Sequence, residues 1–292
     1  MEQLRGTGVA LVTPFKKDES IDWNALEKLI DHVIAGGVDY VVSLGTTGET
    51  PTLSADEKLD LMKFTFEKVS KRVPVIVGIG DYNTRDVVKR LETCPLDEAT
   101  AVLSVAPYYS KPSQEGIYQH YKAIAAASPK PIILYNVPGR TGRNMTAQTT
   151  IRLANEVPNI VAMKEASGDM VQCMQILRDK PKDFIVVSGD DALALAQVAC
   201  GMEGLISVAA NYYAKDVSAM IKAALENNYP VARELNNKLQ EAFDLMFEEN
   251  NPAGPKAFLN GAGISENVLR LPVVPVSEGL RSRIDAFAKN YK

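Results

Sequence analysis

Short apolar runs rich in β-branched residues recur along this 292-residue chain, and segments with helical periodicity separate them. Such runs, bounded by Gly, Pro, Asn or Asp, indicate buried strands. Strands that alternate with helices predict parallel pairing, with both faces of the sheet covered. The runs lie at 8–15, 39–45, 73–80, 99–107, 131–137, 160–166, 183–190 and 204–211. Eight units in about 210 residues favour a closed (β/α)8 barrel, the TIM barrel, over a doubly wound open sheet.

Helix signals lie between the runs and continue beyond the last one. Ser54 and Glu57 form a capping-box pattern at the start of one helical segment. After residue 225 the strand signal stops, and helical periodicity continues over 229–249, 252–262 and 277–291. We therefore predict a barrel over residues 1–225 and a helical extension over 226–292. The extension is expected to pack against the barrel or a neighbouring subunit.

Charge and composition favour small-molecule chemistry. The net charge is -4, and no basic run appears, which argues against nucleic acid or an anionic membrane as a partner. The longest apolar stretches have about eight residues, far fewer than a membrane span needs. Cys94, Cys173 and Cys200 are too widely spaced for a disulfide framework or a paired zinc site. These features, and the lack of a signal-peptide pattern, predict a cytoplasmic protein.

Metal and cofactor signals are weak. With His32 and His120 as its two histidines, the chain is a poor candidate for a histidine-ligated zinc. The glycines of GIGDYN (78–83) do not complete a dinucleotide fingerprint, and no phosphate-binding GxxxxGK[ST] loop occurs. The adjacent Asp190 and Asp191 are more typical of a helix cap than of a Mg²⁺ site. We expect neither a metal nor an organic cofactor.

Lys164 lies near the end of the predicted strand 160–166. Strand alternation puts Ile160, Ala162 and Lys164 on one face. An ammonium on a buried face costs free energy unless a carboxylate such as Glu165 or Asp190 pairs with it. Burial otherwise favours the neutral amine, which is a nucleophile toward carbonyl carbon. Lys164 is therefore a candidate for forming an imine with a ketone.

Other polar side chains gather at the C-terminal ends of the predicted strands, where barrel enzymes hold their active sites. Each has an ordinary explanation as a turn residue, a helix cap, a core aromatic or a solvated cation. Together they favour catalysis, with a tyrosine and a threonine hydroxyl moving protons and a threonine turn holding a carboxylate. The residues are Thr46, Thr47, Tyr108, Tyr109, Tyr135, Arg140, Gly189, Asp190, Asp191 and Asn211.

Five motifs resemble the signature of the dihydrodipicolinate synthase family. They are GTTGE (45–49), PYY (107–109), YNVPGRTG (135–142), KEASGD (164–169) and SGDD (188–191). The resemblance spans essentially the full chain. GTTGE and the lysine motif are shared with the wider superfamily of pyruvate-dependent class I aldolases, whereas the GRTG arginine and the paired tyrosines are more particular to the synthases.

The resemblance implies a set of residue roles. Lys164 would form a Schiff base with pyruvate, and the proton relay would consist of Tyr135, Thr46 and Tyr109, the last from a neighbouring subunit. Substrate-binding groups would be Thr47 for the pyruvate carboxylate, Arg140 for the carboxylate of aspartate semialdehyde, and the backbone carbonyls of Gly189 and Ile206 around the lysine. The implied product is 4-hydroxytetrahydrodipicolinate, on the route to diaminopimelate and lysine. The implied assembly is a homotetramer built from two tight dimers.

Two alternatives remain open from the sequence. A sialic-acid (N-acetylneuraminate) lyase or a keto-deoxy-sugar aldolase would use the same lysine and tyrosine with another second substrate. Arg140 favours the synthase, because a small acidic aldehyde calls for a fixed guanidinium. The other alternative is a non-catalytic barrel that binds a ligand.

The chain departs from the lysine-inhibited members of the family. Those members bind the end product through an asparagine, a glutamate and histidines, and the positions matched here hold Tyr82, Asp86, Ala55 and Lys58. The bulk of Tyr82, the shorter acid at Asp86, the ring missing at Ala55 and the cation of Lys58 near the ligand's ammonium groups all oppose binding of L-lysine. We expect weak or absent inhibition by L-lysine, unless the alignment is shifted by one residue and places Asn83 in the pocket.

Overall fold

Between Glu2 and Tyr291, the residues that the computed structural model describes, eight parallel strands close into a barrel. Each strand pairs with its neighbours in sequence, and β8 pairs with β1. The strands are β1 (Gly6–Ala10), β2 (Tyr40–Ser43), β3 (Val75–Gly78), β4 (Ala101–Val105), β5 (Ile132–Asn136), β6 (Ile160–Glu165), β7 (Ile185–Ser188) and β8 (Gly204–Ser207). The predicted barrel is confirmed. Met1 and Lys292, the outer ends of the predicted domains, lie outside the described residues.

Helices surround this barrel and continue after it. The barrel helices are α1 (Trp23–Ala35), α2 (Ala55–Val69), α3 (Thr84–Thr93), α4 (Gln114–Ala127), α5 (Pro138–Thr141), α6 (Ala147–Glu156), α7 (Met170–Asp179), α8 (Ala194–Ala199) and α9 (Ala214–Leu225). Three follow: α10 (Tyr229–Phe247), α11 (Ala253–Gly261) and α12 (Glu278–Asn290). Short 3-10 turns lie at Glu2–Leu4, Thr46–Gly48, Thr50–Thr52 and Ala209–Asn211. Ser54 and Glu57 form the expected capping box at α2.

The apolar core has two layers, one inside the barrel and one between the strands and the helices. Tyr40 fills part of the interior and is fully buried. A Cβ on Gly8 would lie 2.0 Å from Cε2 of Tyr40, so β1 has room only for a glycine there. Parallel strands buried on both faces explain the nearly continuous apolar runs.

The first predicted run, 8–15, leaves the sheet early, since β1 ends at Ala10. The backbone N–H of Val12 donates to Oδ1 of Asn211 at 3.1 Å instead of to a strand. Pro14 has no N–H to contribute to a ladder. The second half of this apolar run therefore forms a buried loop at the mouth of the barrel.

β6 contains an irregularity that the sequence pattern did not predict. Ile160 and Ala162 pair with consecutive residues of β5, which leaves Val161 between them as a β-bulge. Ile160 consequently packs in the outer layer, whereas Ala162 packs inside the barrel. The expectation that Ile160 shares a face with Lys164 is therefore wrong, whereas Ala162 and Lys164 do share the inner face.

The C-terminal helices are packed on the barrel. The rings of Tyr213, at the start of α9, and Tyr291, after α12, lie 4.4 Å apart. Phe258 of α11 lies 5.7 Å from Tyr213 in the same aromatic cluster. The connection between α10 and α11 reaches the C-terminal ends of the strands. Within residues 2–291, no helix is both long and apolar enough to cross a membrane.

Candidate active site

Lys164 is the penultimate residue of β6 and points into the barrel, where it is only 4% exposed. It is paired in register with Tyr135 of β5, and its Nζ lies 4.4 Å from the centroid of that ring. No carboxylate among residues 2–291 forms an ion pair with it, so the pairing with Glu165 or Asp190 considered above does not occur. The amine therefore faces an aromatic ring in an apolar interior.

Glu165, the next residue, faces the opposite side of the sheet and is fully buried. Its carboxylate accepts hydrogen bonds from the backbone N–H of Ser167 at 2.6 Å, Nδ2 of Asn136 at 3.1 Å and Nε2 of Gln172 at 3.1 Å. Burial raises the pKa of Glu165, and these hydrogen bonds oppose the rise. The contacts join the ends of β5 and β6 to α7, which fixes the strand end that carries Lys164.

Gly189 leaves the room that the Lys164 side chain occupies. A Cβ at this position would lie 2.8 Å from Cε of Lys164 and 2.7 Å from Cβ of Ala166. Ile206 of β8 is buried in the same interior layer as Tyr135. The structure thus brings Gly189, Lys164 and Tyr135 together at the C-terminal ends of the strands.

The GTTGE motif forms a tight turn after β2. Gly48 N–H donates to the Gly45 carbonyl at 3.1 Å, and the residue that ends the turn, Glu49, has a left-handed φ of 52°. Thr47 is buried, and its Oγ1 accepts a hydrogen bond from Nδ2 of Asn251 at 3.2 Å. Thr46 is half-buried beside it. A turn of this kind presents backbone N–H groups that suit an anion.

Arg140 lies on α5, the single helical turn that follows β5, and is exposed. Its Nη2 donates to the backbone carbonyl of Asn251 at 3.3 Å. Because the side chain of Asn251 also contacts Thr47, the guanidinium and the threonine turn lie on one side of the barrel mouth. The carbonyl of Asn251 does not neutralise the charge of Arg140, so the guanidinium can bind an anionic group.

Tyr109 lies apart from the others. Its side chain is 88% exposed, and no hydrogen bond or ring contact joins it to another residue in the described part of the chain. Its φ is 64°, and the N–H of Ser110 donates to the carbonyl of Tyr108 across it at 2.7 Å. This γ-turn with positive φ is a strained form that usually persists only where the surroundings hold it.

Two residues at the mouth were missed from the sequence, Asn251 and Lys256. Lys256 of α11 is fully buried and pairs with Glu49 of the GTTGE motif. Burial lowers the pKa of Lys256 to about 8, and the Glu49 carboxylate opposes that change. The reasoning applied to Lys164 would have found it, because Lys256 is also an ammonium within an apolar segment, AGPKAFL.

Asn211 has a structural role. It is fully buried, and its Nδ2 donates to the Ala10 carbonyl at 2.8 Å while its Oδ1 accepts from Val12 N–H. The Asn211 side chain therefore supplies hydrogen bonds to the backbone of residues 10 and 12, where β1 separates from β8 and strand pairing ends. Its inclusion among the candidate site residues was wrong, since every polar atom of the amide is used by the backbone.

The two adjacent aspartates cap turns, as the sequence favoured. Oδ1 of Asp190 accepts from the N–H of Leu193 at 3.2 Å. Asp191 is buried. Its carboxylate accepts hydrogen bonds from the Ser207 hydroxyl and from the backbone N–H groups of Val208 and Ala209. In residues 2–291 no group of three or more His, Cys, Asp and Glu side chains is placed to hold a metal ion.

The sequence matches the model of the dihydrodipicolinate synthetase family over residues 3–291. The chain belongs to this family. It is 49% identical over 289 residues to the 4-hydroxy-tetrahydrodipicolinate synthase of Flavobacterium psychrophilum, covering 99% of each chain. It is 51% identical over 272 residues to that of Parabacteroides distasonis, covering 93% of this chain and 92% of the relative.

Solved structures of the family agree with this fold. The dihydrodipicolinate synthase of Thermotoga maritima superposes with a TM-score of 0.96 at 39% identity, covering 99% of each chain. That of Aquifex aeolicus gives 0.95 at 37%, covering 99% of this chain and 98% of the other. A dihydrodipicolinate synthase variant described as monomeric gives 0.96 at 38%, covering 98% and 96%. The resemblance found in the motifs is confirmed over nearly the whole sequence.

Proposed function

We propose that this chain is a 4-hydroxy-tetrahydrodipicolinate synthase, which condenses pyruvate with L-aspartate 4-semialdehyde through an imine on Lys164. The reaction belongs to diaminopimelate and lysine biosynthesis. The observation that carries the mechanism is the amine of Lys164, buried on the face of the Tyr135 ring without a carboxylate partner. Such an amine has no ion pair to break before it attacks a carbonyl carbon.

The chemistry follows from an amine at this position. Nζ of Lys164 adds to the keto carbon of pyruvate, and the resulting carbinolamine loses water to give an iminium ion. The iminium acts as an electron sink, so the methyl carbon loses a proton and becomes an enamine. The enamine carbon attacks the aldehyde carbon of the second substrate. The amino group of that substrate then displaces Lys164 as the ring closes, which regenerates the free enzyme.

These steps need proton transfers, which we assign to Tyr135, Thr46 and Tyr109. Tyr135 supports this role by its position against Lys164, and Thr46 by its position on the turn above the strands. Tyr109 would complete the relay from a neighbouring subunit. The support for that assignment is its exposure in the single chain and its strained backbone, a combination that has no purpose in an isolated barrel.

The two substrate carboxylates would bind at different parts of the mouth. Thr47 and the N–H groups of its turn suit the carboxylate of pyruvate, which must lie close to Lys164. Arg140, near the surface, suits the carboxylate of the semialdehyde, because a guanidinium can hold it with two parallel hydrogen bonds. Gly189 and Ile206 would line the lysine pocket through their backbone carbonyls.

A homotetramer made of two tight dimers is the assembly we propose. One interface would be formed around Tyr109 and Tyr82, which are 88% and 56% exposed. Val171 and Met174 of α7 are also exposed, and they supply an apolar surface for a second interface on another part of the barrel. Two separate apolar surfaces are what a dimer of dimers requires.

We also propose that residues 1–225 form the catalytic barrel and residues 226–292 a helical extension, and that the protein is cytoplasmic. The extension's own helices and its aromatic contact with α9 support the division. Free thiols at Cys94, Cys173 and Cys200 suit a reducing compartment.

Borohydride trapping tests the proposal. Pyruvate and borohydride together should leave a stable adduct on the peptide that contains Lys164, because hydride reduces the iminium irreversibly. Lys164→Ala is the control and should remain unlabelled. Turnover with aspartate semialdehyde then separates a synthase from an aldolase acting on sugars, and labelling without such turnover would contradict the assigned second substrate. An adduct on Lys164→Ala equal to that on the natural chain would refute the imine assignment.

A further inference from the structure

Lys256 and Glu49 form a buried ion pair between the C-terminal helices and the GTTGE turn. Lys256 has no exposed surface, donates to the Val268 carbonyl at 2.9 Å, and lies 4.2 Å from the ring centroid of Phe15. The second carboxylate oxygen of Glu49 accepts from the backbone N–H of Arg270 at 3.0 Å. Both oxygens of Glu49 are therefore held by residues that follow α10.

Glu49 is in turn part of the backbone that holds Thr46 and Thr47. Its N–H donates to the Thr46 carbonyl at 3.1 Å, and its own carbonyl accepts from the N–H of Thr52 at 2.9 Å. Its left-handed φ of 52° is costly for a residue with a Cβ, so the conformation needs outside support. Asn251 adds a second contact from the same C-terminal region through its bond to Thr47.

Stability alone does not account for this pair. Burying an ammonium and a carboxylate costs solvation free energy that their attraction rarely exceeds, and apolar residues of similar shape often serve as well. Directional contacts are what the ions add. The ammonium fixes the carboxylate relative to α11, and the carboxylate fixes the end of the turn, so the position of the turn is set from α11.

We propose that Lys256 is a positioning residue, which acts through Glu49 to hold the turn of Thr46 and Thr47 in the geometry that binds the pyruvate carboxylate. This inference rests on the proposed function. It makes the C-terminal extension a support of the pyruvate site, which acts through Glu49. Loss of Lys256 should therefore impair pyruvate binding selectively.

Lys256→Met tests this, with Lys238→Met as the matched control. Lys238 of α10 also ties the extension to the barrel by an ion pair, with Asp216 of α9 at 2.8 Å, but it lies away from the turn. We expect Lys256→Met to raise KM for pyruvate roughly tenfold, which is about 1.4 kcal/mol. KM for aspartate semialdehyde should change little. In Lys238→Met, both KM values should stay within about a factor of two, because substitutions away from a site usually change free energies by no more than about 0.5 kcal/mol.

The double variant Glu49→Gln/Lys256→Met separates positioning from stability. In this double variant both buried side chains are uncharged, so no unpaired carboxylate remains and the melting temperature should recover relative to Lys256→Met. The KM for pyruvate should remain raised. If Lys256→Met does not fold, the double variant carries the same KM test.

An unchanged pyruvate KM in a folded variant overturns the inference, and so does an equal rise in Lys238→Met. Trapping of pyruvate by the natural chain is measured alongside. If that trapping succeeds and the KM result fails, only this inference is wrong. If trapping itself fails, the proposed function is wrong and the inference with it.

Discussion

Gly189→Ala is expected to displace the Lys164 side chain without replacing any group that reacts. The glycine follows β7, and its φ lies outside the left-handed region, so alanine can adopt the backbone. The added Cβ would lie 2.7 Å from Cβ of Ala166 and 2.8 Å from Cε of Lys164. Ordinary contacts between carbon atoms are about 3.5–4.0 Å, so each must lengthen by about 1 Å.

The two contacts respond differently to that demand. Ala166 follows directly on β6, so its Cβ moves only with the end of the strand. The lysine side chain has free torsions, and it is therefore the group that gives way. Overpacking of this kind costs about 1–3 kcal/mol of unfolding free energy. A displacement of about 1 Å at a reacting group costs on the order of 100-fold in rate.

The assay compares the rate of borohydride trapping with pyruvate, kcat/KM and the free energy of unfolding. We expect trapping and kcat/KM to fall about 100-fold while the protein remains folded. Gly279→Ala is the control. Gly279 is exposed on α12, and an added Cβ would lie 4.0 Å from Oγ of Ser277, an ordinary contact distance. Alanine there should leave activity unchanged and change stability by less than about 1 kcal/mol, since the position lies in the first turn of the helix. Normal trapping by folded Gly189→Ala would refute the idea that this glycine sets the lysine position.

Three further changes separate the roles assigned to the mouth. Arg140→Ala should raise KM for aspartate semialdehyde about 10- to 150-fold, because it removes a contact worth about 1.5–3 kcal/mol, while pyruvate trapping is retained. An equal loss of pyruvate trapping and of semialdehyde binding would contradict the role of Arg140. Tyr109→Phe removes one hydroxyl from an 88% exposed side chain, so kcat should fall without a change in melting temperature, and a fully active monomer would exclude the shared relay. L-Lysine should inhibit weakly, because the groups that would face it are already engaged. The ring centroids of Tyr82 and Tyr108 lie 5.4 Å apart, and the Asp86 carboxylate accepts a hydrogen bond from Nδ2 of Asn83 at 2.8 Å. Half-inhibition of the initial rate below about 1 mM would show otherwise.

The barrel was predictable because its signals are local. The apolar runs, the turn residues between them and the Ser54 capping box each depend on a few neighbouring residues. Lys164 was recognisable for a similar reason, since an ammonium stands out in an apolar run. The motifs of the family then identified Tyr135, Thr47 and Arg140 as candidates.

What the sequence did not reveal depends on distant contacts. Asn251 meets Thr47 across 204 positions and Lys256 meets Glu49 across 207, and no local pattern records either pair. The γ-turn at Tyr109 is likewise invisible, because neither tyrosine nor its neighbours favour positive φ. Asn211 was misjudged for the opposite reason: its place at a strand end is real, but the backbone uses its whole side chain.

The bulge at Val161 divides β6 into two segments, and each segment has its own alternation of side chains between the two faces of the sheet. Upstream of it, Ile160 follows the outer layer; downstream, Ala162 and Lys164 follow the interior. A chain that lost Val161 would place Ile160 directly before Ala162 in regular alternation, so Ile160 would still face the outer layer and Lys164 the interior. Loss of the bulged residue would thus leave Lys164 and Glu165 on their present faces, whereas loss of one residue from an unbroken strand would reverse the facing of every residue on one side of the deletion.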